Sequence, residues 1–303
     1  MLHTPYLAAT LQAVTKPAHI RQRVCEPTAL GDSALDDNYI IFETLGRGGM
    51  GEVRRGADLK RGRLVAIKAM HRSLASKPQL VAQFRNEGAM VASVSHRNVV
   101  ALLGCFDEAD RHYLVFEYVR GRSLRDCITD DVPFTRARFN VVAHQLTSAI
   151  AAVHRAGIVH GDIKSGNVMI SPDLVDDRVV LIDFGLAHFT TPPFAVDRDI
   201  SGTPGYMAPE LLCGELSTQA SDQFALGVVL YETLTGVHPF TREGIASEAA
   251  LDGDVPWLPI PPSVCAPNRN IDTALDNVLL RMLAHTPAER FVSLAALQAV
   301  APW

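Results

Sequence analysis

No stretch of the 303 residues approaches the roughly 18 consecutive apolar positions that would span a bilayer. The most apolar run, FALGVVLY at 224–231, suits a buried helix instead. The N-terminus has no basic start leading into a continuous apolar segment, so no secretory signal is expected. Disulfide and zinc frameworks are missing too. The five cysteines (Cys25, Cys105, Cys127, Cys213 and Cys265) are odd in number and form no C-x-x-C pair, the pattern of reduced thiols in a cytoplasmic protein. Nor is there a basic surplus. With 28 Lys and Arg against 33 Asp and Glu, the formal charge is −5, which argues against a nucleic-acid partner. Low-complexity tracts and internal repeats are also absent. What remains is an ordinary globular composition, 48% hydrophobic and 20% charged, long enough for one large domain or two lobes.

Residues 1–37 carry weak periodicity and end in the turn-like GDSALDD, so they read as an extension, partly disordered or loosely docked. Strand patterns begin at Tyr39 in YIIFETLG, resume at EVRRGAD and continue in LVAIKAM. There Val65 and Ile67 face one way, Ala66 and Lys68 the other. Helical text follows in PQLVAQFRNEGAMVASV, then two strand candidates, VVALLGCF and HYLVFEYV. The segment 136–155 sets Phe139, Val142, Ala143, Leu146, Ile150 and Val153 at helical spacing. Short strands around NVMI and RVVLI, an irregular stretch over 183–210 and further helices complete the chain. A strand-rich first third and a helix-rich remainder predict an α+β protein of two lobes with a cleft between them.

The chemistry-bearing residues fall in order. LGRGGMGEV holds Gly46, Gly48 and Gly51 as G-x-G-x-x-G, which lets backbone amides approach phosphate oxygens. A strand precedes the cluster and another follows it, which argues against a dinucleotide-binding βαβ unit. Lys68 on an inward strand face needs a partner, because burying a lone ammonium is costly, and Glu87 in the next helix is the natural one. In HGDIKSGN, Asp162 is placed to orient or deprotonate a hydroxyl. Lys164 is placed to neutralise a transferring phosphoryl, and Asn167 offers an amide oxygen to a hard cation. LIDFG adds the carboxylate of Asp183 at a strand end.

The ordered set GRGGMGEV, VAIK, Glu87, HGDIKSGN, DFG, GTPGYMAPE and SDQFALGVVLYE resembles a protein kinase domain. It is most similar to the bacterial serine/threonine protein kinases of the eukaryotic-like superfamily. The resemblance covers roughly residues 39–300. It implies the bilobal protein kinase-like fold: a β-rich N-lobe with one main helix over 38–119 and an α-rich C-lobe over 120–303. It also implies γ-phosphoryl transfer from ATP with Mg²⁺, or Mn²⁺ in its place, to a protein Ser or Thr. Gly46, Gly48 and Gly51 would cover the phosphates. Leu45 joins the ATP-binding set, and Val53 and Ala66 close over the adenine with Met169 beneath. Lys68 would hold the α- and β-phosphates and pair with Glu87. Glu117 and Val119 would present backbone hinge bonds, with Phe116 guarding the back pocket. Asp162 is the implied base, Lys164 the γ-phosphate clamp, Asn167 and Asp183 the metal ligands. Glu210 and Arg290 would form a buried ion pair, and Asp222 would brace the catalytic loop. Val91, Leu102, His160 and Phe184 would stack in an apolar column.

The chain departs from the family at H-R-D, whose arginine is replaced by Gly161. That arginine normally reads a phosphate on the activation segment, so Gly161 implies non-standard control. Thr190, Thr191, Ser201 and Thr203 are the candidate autophosphorylation hydroxyls, Thr203 being better explained as a contact to Asp162 and Lys164. Ser123 and Gly166 stand where arginine-selecting kinases carry acids. A strong basic peptide preference is therefore not implied, although Glu232 still contributes a carboxylate. H-G-D also occurs in small-molecule phosphotransferases, which leaves that class as an alternative; GTPGYMAPE, a peptide-groove segment, weighs against it. A pseudokinase scaffold would have lost Lys68, Asp162, Asn167 or Asp183, and all four are present.

Overall fold

The computed structural model describes residues 38–108, 111–130, 134–172, 177–190, 202–240, 259–267 and 271–303; Cys25 and the extension over 1–37 lie outside them. Contacts divide the chain into two compact units. One ends at Ala92 and resumes over Ala101–Tyr118; the other joins Ser93–Val100 to Val119–Trp303.

The first unit is a five-stranded antiparallel sheet in the order β1-β2-β3-β5-β4. Its strands are β1 (Tyr39–Arg47), β2 (Gly51–Asp58), β3 (Arg63–Met70), β4 (Leu102–Glu108) and β5 (Arg111–Glu117). Alternation along β3 buries Val65, Ile67 and Ala69 against Phe106, Tyr113 and Val115. Tyr39, Phe106 and Tyr113 stack in sequence, with centroids 5.6 and 4.9 Å apart. Helix α1 (Pro78–Ser93) starts on a proline, which costs nothing where the first amide has no partner, and buries Phe84, Glu87, Gly88, Met90 and Val91.

The second unit is mostly helical. In α2 (Arg136–Arg155), Thr135 caps the N-terminus by accepting from the Arg138 amide, and the apolar stripe from Phe139 to Val153 is buried. Helix α3 (Gln219–Thr235) opens on a Thr218–Ser221 capping box and closes on Gly236 at φ 82°. FALGVVLY lies inside it, buried on every side. Helix α4 (Thr273–Met282), capped by Asp272, packs beside α3.

A small sheet, β6-β8-β9, carries the chemistry-bearing loops of this unit (β6 Arg122–Ser123, β8 Val168–Ser171, β9 Arg178–Leu181). The two-residue strands β7 (Ile158–Val159) and β10 (His188–Phe189) pair separately.

The α+β order expected from the sequence is what the chain adopts. One strand expectation changes. VVALLGCF does not run as one strand, because β4 starts only at Leu102. Val99 instead bridges Leu181 in parallel, and the Val100 amide donates to the Leu181 carbonyl. The apolar run is split between two sheets.

Candidate functional site

In the first unit, the glycine-rich turn between β1 and β2 closes when the Gly48 amide donates to the Gly51 carbonyl at 2.8 Å. His71 lies 3.0 Å from the Gly48 carbonyl through Nε2. Gly51 is required by close approach, since a Cβ there would sit 2.2 Å from the Ala69 carbonyl oxygen. Leu45, Gly46 and Gly48 are exposed, and Val53 is half-buried.

Register sets Val53 directly opposite Lys68, and Lys68 opposite Leu114 on β5. Ala66 pairs with Phe116, which is buried. Lys68 Nζ donates to both oxygens of Glu87, at 2.6 and 2.8 Å, and the carboxylate is 3% exposed. The buried ammonium thus has its partner. Glu117 is tied to Ala101, its amide donating to the Ala101 carbonyl and its Oε1 accepting from the Ala101 amide. Val91 is buried and Leu102 half-buried.

In the second unit, HGDIKSGN leaves β7 and is gripped from α3. Asp222, 2% exposed, accepts from the amides of His160 and Gly161 at 2.8 and 2.9 Å and from His154 Nε2 at 2.8 Å. Burial alone would raise the Asp222 pKa, but the hydrogen bond and charge of His154, with His160, hold it below the usual carboxylate value. His160 is fully buried, which pushes its pKa down, and its ring lies 4.7 Å from that of Phe184.

Asp162 is the hub of this loop. Its Oδ1 accepts from the Thr203 hydroxyl at 2.9 Å, and its Oδ2 accepts from Lys164 Nζ at 2.6 Å and from Asn167 Nδ2 at 3.1 Å. Lys164 also donates to the Thr203 hydroxyl at 2.8 Å. Asn167 Nδ2 donates as well to the Asp162 carbonyl, which turns its Oδ1 lone pairs the other way.

Sixteen residues separate Asn167 from Asp183 in sequence, and the β8–β9 hairpin closes that gap. Val168 pairs with Leu181 and the Ile182 amide donates to the Asn167 carbonyl, so Asp183 follows one residue beyond. Asp183 is exposed and has φ 62°, a left-handed backbone that costs a non-glycine residue on the order of 1–3 kcal/mol. An amide oxygen and a carboxylate at the mouth of one hairpin fit a hard cation that takes its other ligands from phosphates and water. Met169 sits half-buried on β8 opposite Val180.

Gly161 has φ 77°, and a Cβ there would lie 2.8 Å from the Leu186 carbonyl oxygen. Beside it a cavity of about 10 Å³, room for one water, is lined by Asp162, Thr203, Ser217 and Asp222.

Arg290 and Glu210, both buried, pair through two bonds of 2.7 and 2.8 Å. Thr190 donates its hydroxyl to the Gly157 carbonyl. Thr191 and Ser201 lie outside the described residues.

Three contacts carry no clear signature in the sequence. Ser165 lies within the quoted loop, yet its hydroxyl meets that of Tyr206 at 2.7 Å, and Tyr206 donates to Glu232 at 2.8 Å. His154 reaches Asp222 from α2, and His238 Nε2 meets the Gly205 carbonyl at 2.7 Å. Only the tyrosine of GTPGY hints at the first.

Asp162 braced by a lysine, a threonine and an asparagine, with Asp183 across the hairpin from Asn167, is an arrangement suited to phosphoryl transfer. A family model described as a protein kinase domain matches residues 39–301. The chain is 35% identical over 277 residues to the serine/threonine-protein kinase PknB of Mycobacterium tuberculosis, covering 88% of this chain and 43% of that one. It is 31% identical over 269 residues to the serine/threonine-protein kinase pkn3 of Myxococcus xanthus, covering 86% and 49%. The chain belongs to the protein kinase family, within its bacterial, eukaryotic-like serine/threonine branch. It spans about half the length of these relatives or less. Among the described residues, no helix is long and apolar enough to cross a membrane.

Proposed function

We propose that the chain transfers the γ-phosphoryl group of ATP, with Mg²⁺ or Mn²⁺, to a serine or threonine hydroxyl of a protein. The observation that carries this reading is Asp162, held by Thr203, Lys164 and Asn167 on a loop whose amides are anchored by Asp222. Asp162 orients the acceptor hydroxyl and takes its proton as the O–P bond forms. Lys164 offsets charge on the group in transit, and Lys68, set by Glu87, holds the α- and β-phosphates. The glycine turn at 46–51 covers the phosphates. Leu45, Val53, Ala66 and Met169 enclose the adenine, with hinge bonds from Glu117 and Val119 beside Phe116. Asn167 and Asp183 would hold the metal, which when bound would supply neutralisation of phosphate charge. The printed names of the relatives support serine and threonine as acceptors. Free thiols at Cys105, Cys127, Cys213 and Cys265 suit a cytoplasmic location, where ATP is supplied.

Gly161 cannot read a phosphate, so activation-segment phosphorylation, including autophosphorylation at Thr190, Thr191 or Ser201, is not what switches the enzyme on. Phosphatase treatment should leave activity within a few-fold; a loss of a hundredfold or more refutes this part. Radiolabel transfer from ATP to the chain itself or to bulk histone tests the main reading. Wild type should label protein and Asp162→Asn should not. Equal labelling by both, or labelling of small-molecule alcohols alone, would overturn it.

A further inference from the structure

Two separate contacts join the loop 160–167 to the turn Pro204–Tyr206. One is the Thr203 hydroxyl on Asp162 and Lys164. The other involves no group assigned to the chemistry: Ser165 Oγ to Tyr206 Oη at 2.7 Å, then Tyr206 Oη to Glu232 Oε2 at 2.8 Å. Ser165 is 2% exposed, so its hydroxyl must find a protein partner.

Tyr206 donates its one hydroxyl proton to the Glu232 carboxylate, which leaves its oxygen to accept from Ser165, whose hydroxyl also lies within reach of that carboxylate. Burial, followed by the charge of Glu232, pushes the Tyr206 pKa up to about 12, so the donor persists across the physiological range. A third contact holds the same turn, His238 Nε2 at 2.7 Å from the Gly205 carbonyl, with the His238 ring edge-on to Tyr206 at 6.0 Å.

A turn attached at one point can pivot; attached at two, it has a set orientation. Ser165 is bonded covalently to Lys164 and shares a single 3₁₀ turn with Asn167. Its link to Tyr206 therefore references the turn directly to the loop that carries Asp162.

We propose that Ser165 is a positioning residue: through Tyr206, itself held by Glu232, it sets the orientation of the turn 203–206, along which the acceptor protein lies, relative to Asp162. This rests on the protein kinase reading above. None of Ser165, Tyr206 and Glu232 is among the residues assigned to the nucleotide, so the effect is expected on the acceptor. Losing one such buried bond corresponds to roughly a three- to tenfold effect.

The test is steady-state kinetics with ATP and bulk histone on wild type, Ser165→Ala, Tyr206→Phe and the double variant. The acceptor KM should rise roughly three- to tenfold in each single variant, with the ATP KM within twofold. The double variant should be no worse than the more affected single one, because both remove the same link. If Ser165→Ala fails to fold, Tyr206→Phe carries the test alone, since it keeps the ring and removes only the hydroxyl. An unchanged acceptor KM, a parallel rise in both KM values, or multiplying effects in the double variant would overturn the positioning role. Absence of transfer by the wild type would instead sink the kinase reading on which it stands.

Discussion

Arg290 spends every N–H of its guanidinium within the fold, two of them on Glu210. Nη1 donates to Glu210 Oε1 at 2.7 Å and to the Ala220 carbonyl at 2.9 Å; Nη2 donates to Glu210 Oε2 at 2.8 Å and to the His285 carbonyl at 3.1 Å. Nε donates to the Ala284 carbonyl, and the group stacks 5.0 Å from the Phe224 centroid. Removing one partner leaves a buried charge uncompensated. Arg290→Met or Glu210→Leu should therefore destabilise by about 3–5 kcal/mol, while replacing both together should cost clearly less than the sum. Chemical denaturation of the three variants measures this.

Lys68 and Glu87 are the corresponding pair in the first unit, 13% and 3% exposed. Glu87→Gln keeps the shape of the side chain but loses the charge that orients the ammonium. Phosphoryl transfer should fall on the order of 10²-fold, as when one preorganised electrostatic contact is lost from an active site. The acceptor KM should hardly move, which separates this defect from that expected at Ser165. Initial-rate kinetics decide it.

Restoring the family arginine at position 161 should harm the protein. The left-handed φ of 77° costs an L residue about 1–2 kcal/mol, and the new Cβ meets the Leu186 carbonyl at 2.8 Å. Gly161→Ala carries the same Cβ and should show most of the same loss in denaturation. If only the arginine variant is destabilised, the long side chain and not the backbone is responsible.

Stability should fall on acidification in two stages. His160 is buried and His238 half-buried, with pKa values pushed below 6.5 by desolvation, so the unfolded chain takes up protons first. Their contribution is complete above about pH 6.5 and is lost as pH falls through the folded values. Asp222, held below 3.8, contributes above that pH and is lost as its folded pKa is crossed. Glu232, raised by burial, acts in the opposite sense. Denaturation midpoints at pH 7.5, 6.5 and 5.5 should decline, and His238→Gln should flatten the slope.

Local signals were readable in the sequence. The stripe from Phe139 to Val153 gave one amphipathic period, and α2 runs over Arg136–Arg155 as that period demands. Asp162, Lys164 and Asn167 sit within six residues, so their meeting needs only one turn. Some long-range contacts between one quoted segment and another were not readable. Ser165, Tyr206 and Glu232 are each ordinary alone, and only the fold joins hydroxyl to hydroxyl to carboxylate. The left-handed backbone at Asp183 was not readable either, because only a few per cent of non-glycine residues adopt one, even though aspartate does so more often than most. VVALLGCF misled because an apolar run carries no mark of where it changes sheet.

That change of sheet bears on how the chain is made. Asn98 Nδ2 donates to the Val179 carbonyl across 81 residues, and Val99 and Val100 cover the outer edge of β9. At ribosomal speeds of 5–20 residues per second, the partner strand emerges about 4–16 s later. For that interval Val99 and Val100, both buried in the finished protein, have no edge to cover. A fragment ending at Tyr118 would hold this segment in the waiting state permanently. The first unit is thus complete in strands by residue 117, whereas the segment Ser93–Val100, which belongs to the second unit, stays uncovered until the β8–β9 hairpin has formed.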